Sequence, residues 1–137
     1  MGDQRAGFRE IAHTADWALQ VWAPDLAELF ALAAQGMAAL MEQRLVEGER
    51  QVREMTLEGA DEESLLVAFL TELLYLRESE GLGFDQFDVD LAEGQLKARA
   101  WGAPLAGQAK EIKAVTYHNL AIRRSQAGCA VTIVFDV

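Results

Sequence analysis

Two stretches of this chain change hydrophobic period, and that change decides what it can fold into. From Asp25 onward, Leu26, Leu29, Phe30, Ala33, Met37, Leu40 and Met41 recur every three to four positions, which places them on one face of a helix. Asp25 with Glu28 supplies a D-x-x-E start, whose acid offers an oxygen to the free N–H groups of a first turn. The spacing predicts a helix over about residues 25–43. A second helix opens at Asp61 to Ser64, carries Leu65, Leu66, Phe69, Leu70, Leu73 and Leu74 as one stripe, and runs to about Ser79 before Gly81 and Gly83 end it. Helices with one apolar stripe are stable only when the rest of the chain covers that stripe.

Elsewhere the period falls to two. Trp17, Leu19 and Val21 alternate with Ala18, Gln20 and Trp22, and Phe87, Val89 and Leu91 alternate with Gln86, Asp88 and Asp90. Gln51–Glu58, Gln95–Gly102, Glu111–His118, Leu120–Arg124 and Ala130–Val137 read as further strands, with a short one at Phe8–Ile11. Turn residues such as Glu93-Gly94 and Ala127-Gly128 separate them, and both prolines fall at element edges, Pro24 before a helix and Pro104 in a loop. The order predicts an α+β fold: a two-layer sandwich of a mixed, mostly antiparallel sheet with two amphipathic helices packed on one face. No repeat or linker divides the sequence, so its 137 residues are expected to form one domain, with about residues 1–6 as a flexible N-terminus.

Composition narrows the class of function. No apolar run approaches the roughly 18 residues of a membrane span, and no N-terminal apolar segment reads as a secretory signal. Cys129, the single cysteine, lies in an apolar strand pattern, which agrees with a reducing, cytoplasmic setting. Twelve basic against 22 acidic residues give a net charge of −10, which repels a nucleic-acid backbone and disfavours direct tight binding to it. A basic protein partner or a cation suits this charge better.

Phosphate-cradling loops, nucleophile elbows, zinc-protease helices and paired C-x-x-C motifs are missing, and Gly81-Leu82-Gly83 lacks both the third glycine and the βαβ setting of a dinucleotide fold. What remains is a set of polar residues set against apolar strands. Asp16, in EIAHTADWALQ with His13 and Thr14, reads by itself as the acceptor of an Asx turn. Asp136 alters the weighing, because it follows Phe135 at the end of AVTIVFDV and is followed by the carboxylate of Val137. Asp16, if brought alongside, would complete a trio of carboxylates that a hard divalent ion such as Ca²⁺, Mg²⁺ or Mn²⁺ would relieve. The alternative is that Asp136 is a solvated group in a frayed end. Lys113 in EIKAVTYHNL reads as a strand lysine with Val115 and Tyr117 on its side, His118 as a histidine closing that strand or a metal ligand, and Glu72 as a carboxylate on the border of the second helix's stripe. Trp22 and Trp101 fall on the strand faces turned away from the core, where they serve sheet packing or a partner surface.

Four motifs, in order and with family spacing, then resemble the archease family across nearly the whole chain: HTADWALQVWA-x-x-L-x-E-L-F, FLTELLYL, IKAVTYHNL and the final FDV. The resemblance implies a small accessory protein of the GTP-dependent RNA ligase, which joins 3′-phosphate or 2′,3′-cyclic-phosphate ends to 5′-hydroxyl ends in tRNA splicing and RNA repair. It further implies promotion of GMP transfer onto the ligase and of multiple turnover, without catalysis by the accessory protein itself. Carried onto this sequence, the family's divalent metal site falls on Asp16, Asp136 and Val137, the last through a main-chain or terminal oxygen, and its functional lysine on Lys113. His13, His118 and Glu72 stand as residues supporting that site. Two positions depart from the family pattern: Asp136-Val137 replaces the commoner Asp-Ile ending, and Trp17 stands where a smaller aliphatic residue is usual. Two other readings stay open, a metal-dependent phosphoester hydrolase with Asp16 and Asp136 holding the ion and His118 as base, and a chaperone-like modulator of an RNA- or DNA-modifying enzyme such as a methyltransferase.

Overall fold

The Asp25 carboxylate accepts the Glu28 N–H at 2.9 Å, and α1 follows over Leu26–Leu40 in a computed structural model that describes residues 5–11 and 17–137. The helix stops short of the expected residue 43 because Glu42 turns into the left-handed region at φ 53°, where its N–H donates to the Ala39 carbonyl. Asp61 caps α2 in the same way, accepting from the Ser64 N–H at 2.8 Å, and α2 spans Glu62–Glu80. Gly81 closes it at φ 68°, a conformation that glycine adopts without a Cβ clash.

The described residues form nine strands: β1 Gly7–Ile11, β2 Trp17–Ala23, β3 Arg44–Leu45, β4 Gln51–Glu58, β5 Leu82–Ala92, β6 Gln95–Gly107, β7 Ala114–Val115, β8 Arg123–Ser125 and β9 Gly128–Asp136. Every pairing among them is antiparallel. They divide into two sheets, one ordered β1-β2-β9-β7 with β8 also on β9, the other built on β6 with β3, β4 and β5. The helices form the second layer of an α+β sandwich, α1 against β1, β2 and β5, and α2 against β4 to β7. One core joins both sheets to both helices; at its centre Phe69 stacks on Phe30 at 6.2 Å and meets Phe87 edge-on at 6.0 Å.

Three expectations are corrected. Pro104 lies inside β6, opposite Leu82, and its carbonyl accepts from the Val46 N–H at 2.8 Å, so this part of the strand uses the acceptor proline retains. Only Ala114–Val115 of the 111–118 stretch is strand: Ile112 and Val115 are both buried while Tyr117 is exposed, which breaks the alternation expected around Lys113. The strand expected over 120–124 is shifted to Arg123–Ser125, because Leu120 and Ile122 leave the sheet to pack on the core and the Ile122 N–H donates to Glu63 on α2.

Candidate functional site

β9 carries the site, and its neighbours fix it. Trp17, the first residue of β2, pairs with Phe135, and on the other side Ala114 of β7 pairs with Asp136. Phe135 is fully buried, so the alternation of the strand turns Asp136 outward, where it is exposed; Val137 is 37% exposed. The Lys113 N–H donates to the Asp136 carbonyl at 2.8 Å, and Thr116 holds the Val134 carbonyl through its N–H at 3.1 Å and its hydroxyl at 2.9 Å. The 112–116 segment is thereby laced to the last strand, with Ile112 and Val115 buried as anchors and the Lys113 side chain between them in solvent.

Asp136, Val137 and Lys113 therefore come together at one corner of the first sheet. Asp16, His13 and Thr14 lie outside the described residues; Trp17, the next residue after Asp16, is the one paired with Phe135. Among the described residues no three His, Cys, Asp or Glu side chains form a metal cluster. The donors at this corner, the exposed Asp136 carboxylate followed by the main-chain oxygens of Val137, have the hard-oxygen character that Ca²⁺, Mg²⁺ and Mn²⁺ prefer.

His118 and Glu72 are placed elsewhere. His118 sits exposed in a turn closed by the Leu120 N–H on the Tyr117 carbonyl; its ring Nε2 accepts from Asn119 at 3.3 Å, and Asn119 is left-handed at φ 50°. Glu72 is half-buried on α2.

Lys110 was not singled out by the sequence. Its ammonium lies 5.0 Å from the centre of the Trp17 ring and 3.6 Å from the Glu42 carboxylate, and its N–H and that of Ala109 both donate to the Met41 carbonyl. The large ring at position 17 is accommodated by this arrangement, half-buried against the core with a cation over it. A signal existed, an unusual tryptophan beside the HTAD motif, but its partner lies more than 90 residues away in sequence. Arg77 steadies the same segment from below, donating to Gln108 at 2.7 Å and to Gln43, whose amide donates in turn to the Phe84 carbonyl at 2.9 Å. Burial lowers the Arg77 pKa, and these partners are neutral amides.

Comparison with known proteins agrees with the motifs. Residues 8–137 match the model of the archease protein family. Protein archease of Pyrococcus abyssi is 37% identical over 125 residues, 85% of this chain and 87% of that one, and protein archease of Saccharolobus islandicus is 34% identical over 136 residues, 95% and 98%. The solution structure of Methanobacterium thermoautotrophicum protein 1598 superimposes with a TM-score of 0.71 at 26% identity, covering 96% of this chain and 99% of that one. An archease from Thermotoga maritima, described as a possible chaperone, shares the fold with a TM-score of 0.69 at 24% identity, over 94% and 96% of the two chains. The chain belongs to the archease family.

Proposed function

We propose that this protein activates a GTP-dependent RNA ligase, promoting the ligase's guanylylation and repeated turnover, and performs no catalysis of its own. What carries the reading is one juxtaposition: the two residues that the family motifs mark, Lys113 and Asp136, are joined backbone to backbone at 2.8 Å with both side chains exposed. An ammonium and a carboxylate held on a rigid sheet corner suit insertion into a partner's nucleotide site, the lysine as a point charge on phosphate or on a ligase carboxylate. The acidic body, at −10, favours association with a basic, RNA-binding enzyme over RNA itself.

Asp16, Asp136 and a main-chain oxygen of Val137 would hold a divalent ion at this corner. When bound, such an ion supplies positive charge to phosphate oxygens. The chain's own contribution is to fix the corner through the strand pairing and to leave the Lys113 side chain free to reach a partner.

GMP loading of the cognate ligase tests this reading with wild type, Asp16→Ala, Asp136→Ala and Lys113→Ala. Each variant is expected to lose most of the stimulation; full stimulation by all three would overturn the assignment. The description of the Thermotoga maritima protein as a possible chaperone favours a coarser second reading, an accessory protein of a different nucleic-acid-modifying enzyme. Recovery of a methyltransferase instead of the ligase as the co-purifying partner would select it, and phosphoester turnover by the purified protein alone would select the hydrolase.

A further inference from the structure

A cavity of about 430 Å³ lies at the end of the first sheet remote from Asp136. Its lining includes one row across three strands: Trp22 of β2 and Arg123 of β8 both pair with Ala130 of β9. Directly opposed residues share a face, so Trp22 and Arg123 flank a floor formed by the Ala130 methyl. Two strand spacings set their Cα atoms about 10 Å apart, which leaves an open floor between the two side chains. The Trp22 ring leans over Gly7 of β1, where a Cβ would meet it at 2.9 Å, which keeps the alanine floor clear. Gly128, at φ 133°, lets the β8–β9 turn close against Ala23; a Cβ there would lie 2.2 Å from the Ala23 carbonyl oxygen.

The charge of the cavity runs against that of the molecule. Arg5, Arg123 and Arg124 line it and no described acid does, in a chain with 22 acidic residues. Arg124 belongs to the neighbouring row with Cys129 and Ala23, on the other face, and is ion-paired to Glu62. Arg123 is exposed, with no ion pair among the described residues. On the second sheet's outer face, by comparison, Lys97 and Arg99 are flanked across the strands by Asp90, Asp88 and Glu54.

We propose that this cavity binds one nucleotide, with its base over Ala130 beside the Trp22 indole and its phosphate against the Arg123 guanidinium. The ligand is a free mononucleotide or the exposed end of an RNA strand, whose shared chemistry is a planar base beside a phosphate. Binding is weak, as the overall charge demands, and is a property of this chain without the ligase. It does not rest on the ligase reading, which concerns the opposite end of β9.

The test follows the Trp22 indole N–H resonance, identified by its loss in Trp22→Leu, while the full chain is titrated with GMP, guanosine, inorganic phosphate and a short single-stranded RNA. GMP and RNA are expected to shift it at millimolar concentrations or below, with guanosine and phosphate at least about tenfold weaker. Arg123→Ala, an exposed change that leaves the fold intact, is expected to weaken GMP binding about tenfold. Arg124→Ala is expected to bind GMP as wild type does. RNA binding about tenfold tighter than GMP assigns the site to a strand end, and equal affinity assigns it to a free nucleotide. No shift at Trp22 with either ligand, or equal loss in Arg123→Ala and Arg124→Ala, would overturn the proposal.

Discussion

The Lys113 N–H donates to the Asp136 carbonyl at 2.8 Å while both side chains stand in solvent. A backbone bond outlives replacement of either side chain, so the corner keeps its shape when its chemistry is removed. Lys113→Ala and Asp136→Ala are therefore expected to lie within about 0.5 kcal/mol of wild type in denaturant unfolding. A loss of ligase stimulation without a loss of stability would separate chemistry from folding at these two positions.

Phe69 bridges the two helices and β5 through its contacts with Phe30 and Phe87. Phe69→Ala is expected to destabilise by about 3–5 kcal/mol, since a fully buried ring leaves a cavity that two flanking rings cannot fill. Urea unfolding monitored by circular dichroism gives the value.

Lys110 over Trp17 accounts for the tryptophan beside the HTAD motif. A double-mutant cycle with Trp17→Leu and Lys110→Met is expected to yield a coupling of about 0.5–1 kcal/mol, weakened only slightly by salt. A coupling near zero would mean that the ring is held by packing alone.

Asp61 is held below its ordinary value of 3.8 by the Ser64 backbone N–H first and the Ser64 side chain second, and Glu80 is held below 4.5 mainly by its hydrogen bonds from Arg53. A lowered folded-state pKa contributes stability that is present above the unfolded value and is lost as pH falls through the folded one. Stability is thus expected to drop between about pH 5 and pH 3, where the unfolded chain takes up protons first. Asp61→Asn, which keeps a cap but cannot titrate, is expected to flatten that drop, as read from denaturation midpoints across the acid range.

Burial pushes the Cys129 thiol up, above its ordinary 9.0. The native protein is expected to react with a thiol reagent far more slowly than the denatured chain, without a change in the pocket chemistry proposed beside it. Rapid native labelling would show that the β8–β9 hairpin opens.

The helices were legible because their signals are local. Asp25 with Glu28 and Asp61 with Ser64 meet within one turn, and the Leu-rich stripes are regular enough to mark a buried face. β4 was legible to the residue because its alternation has no interruption. The stretch around Lys113 was not, since Ile112 and Val115 are anchored by different neighbours and no period of two survives. Pro104 misled for a related reason: its missing donor is harmless only because Val46 needs an acceptor there.

The sequence by itself marked the candidates: the acid of HTAD, the lysine of IKAVTY and the final FDV stand in short motifs that need no partner to be read. Only the tertiary structure decided that Lys113 and Asp136 meet. Antiparallel pairing brings Ala114 to Asp136 and Trp17 to Phe135 across more than 20 and more than 110 residues, and sets Trp22 and Arg123 on either side of Ala130. Local propensity carries no information at such separations; register is fixed by burying Leu19, Val21, Ile133 and Phe135 on one face, and a slip of one residue would turn each of them outward.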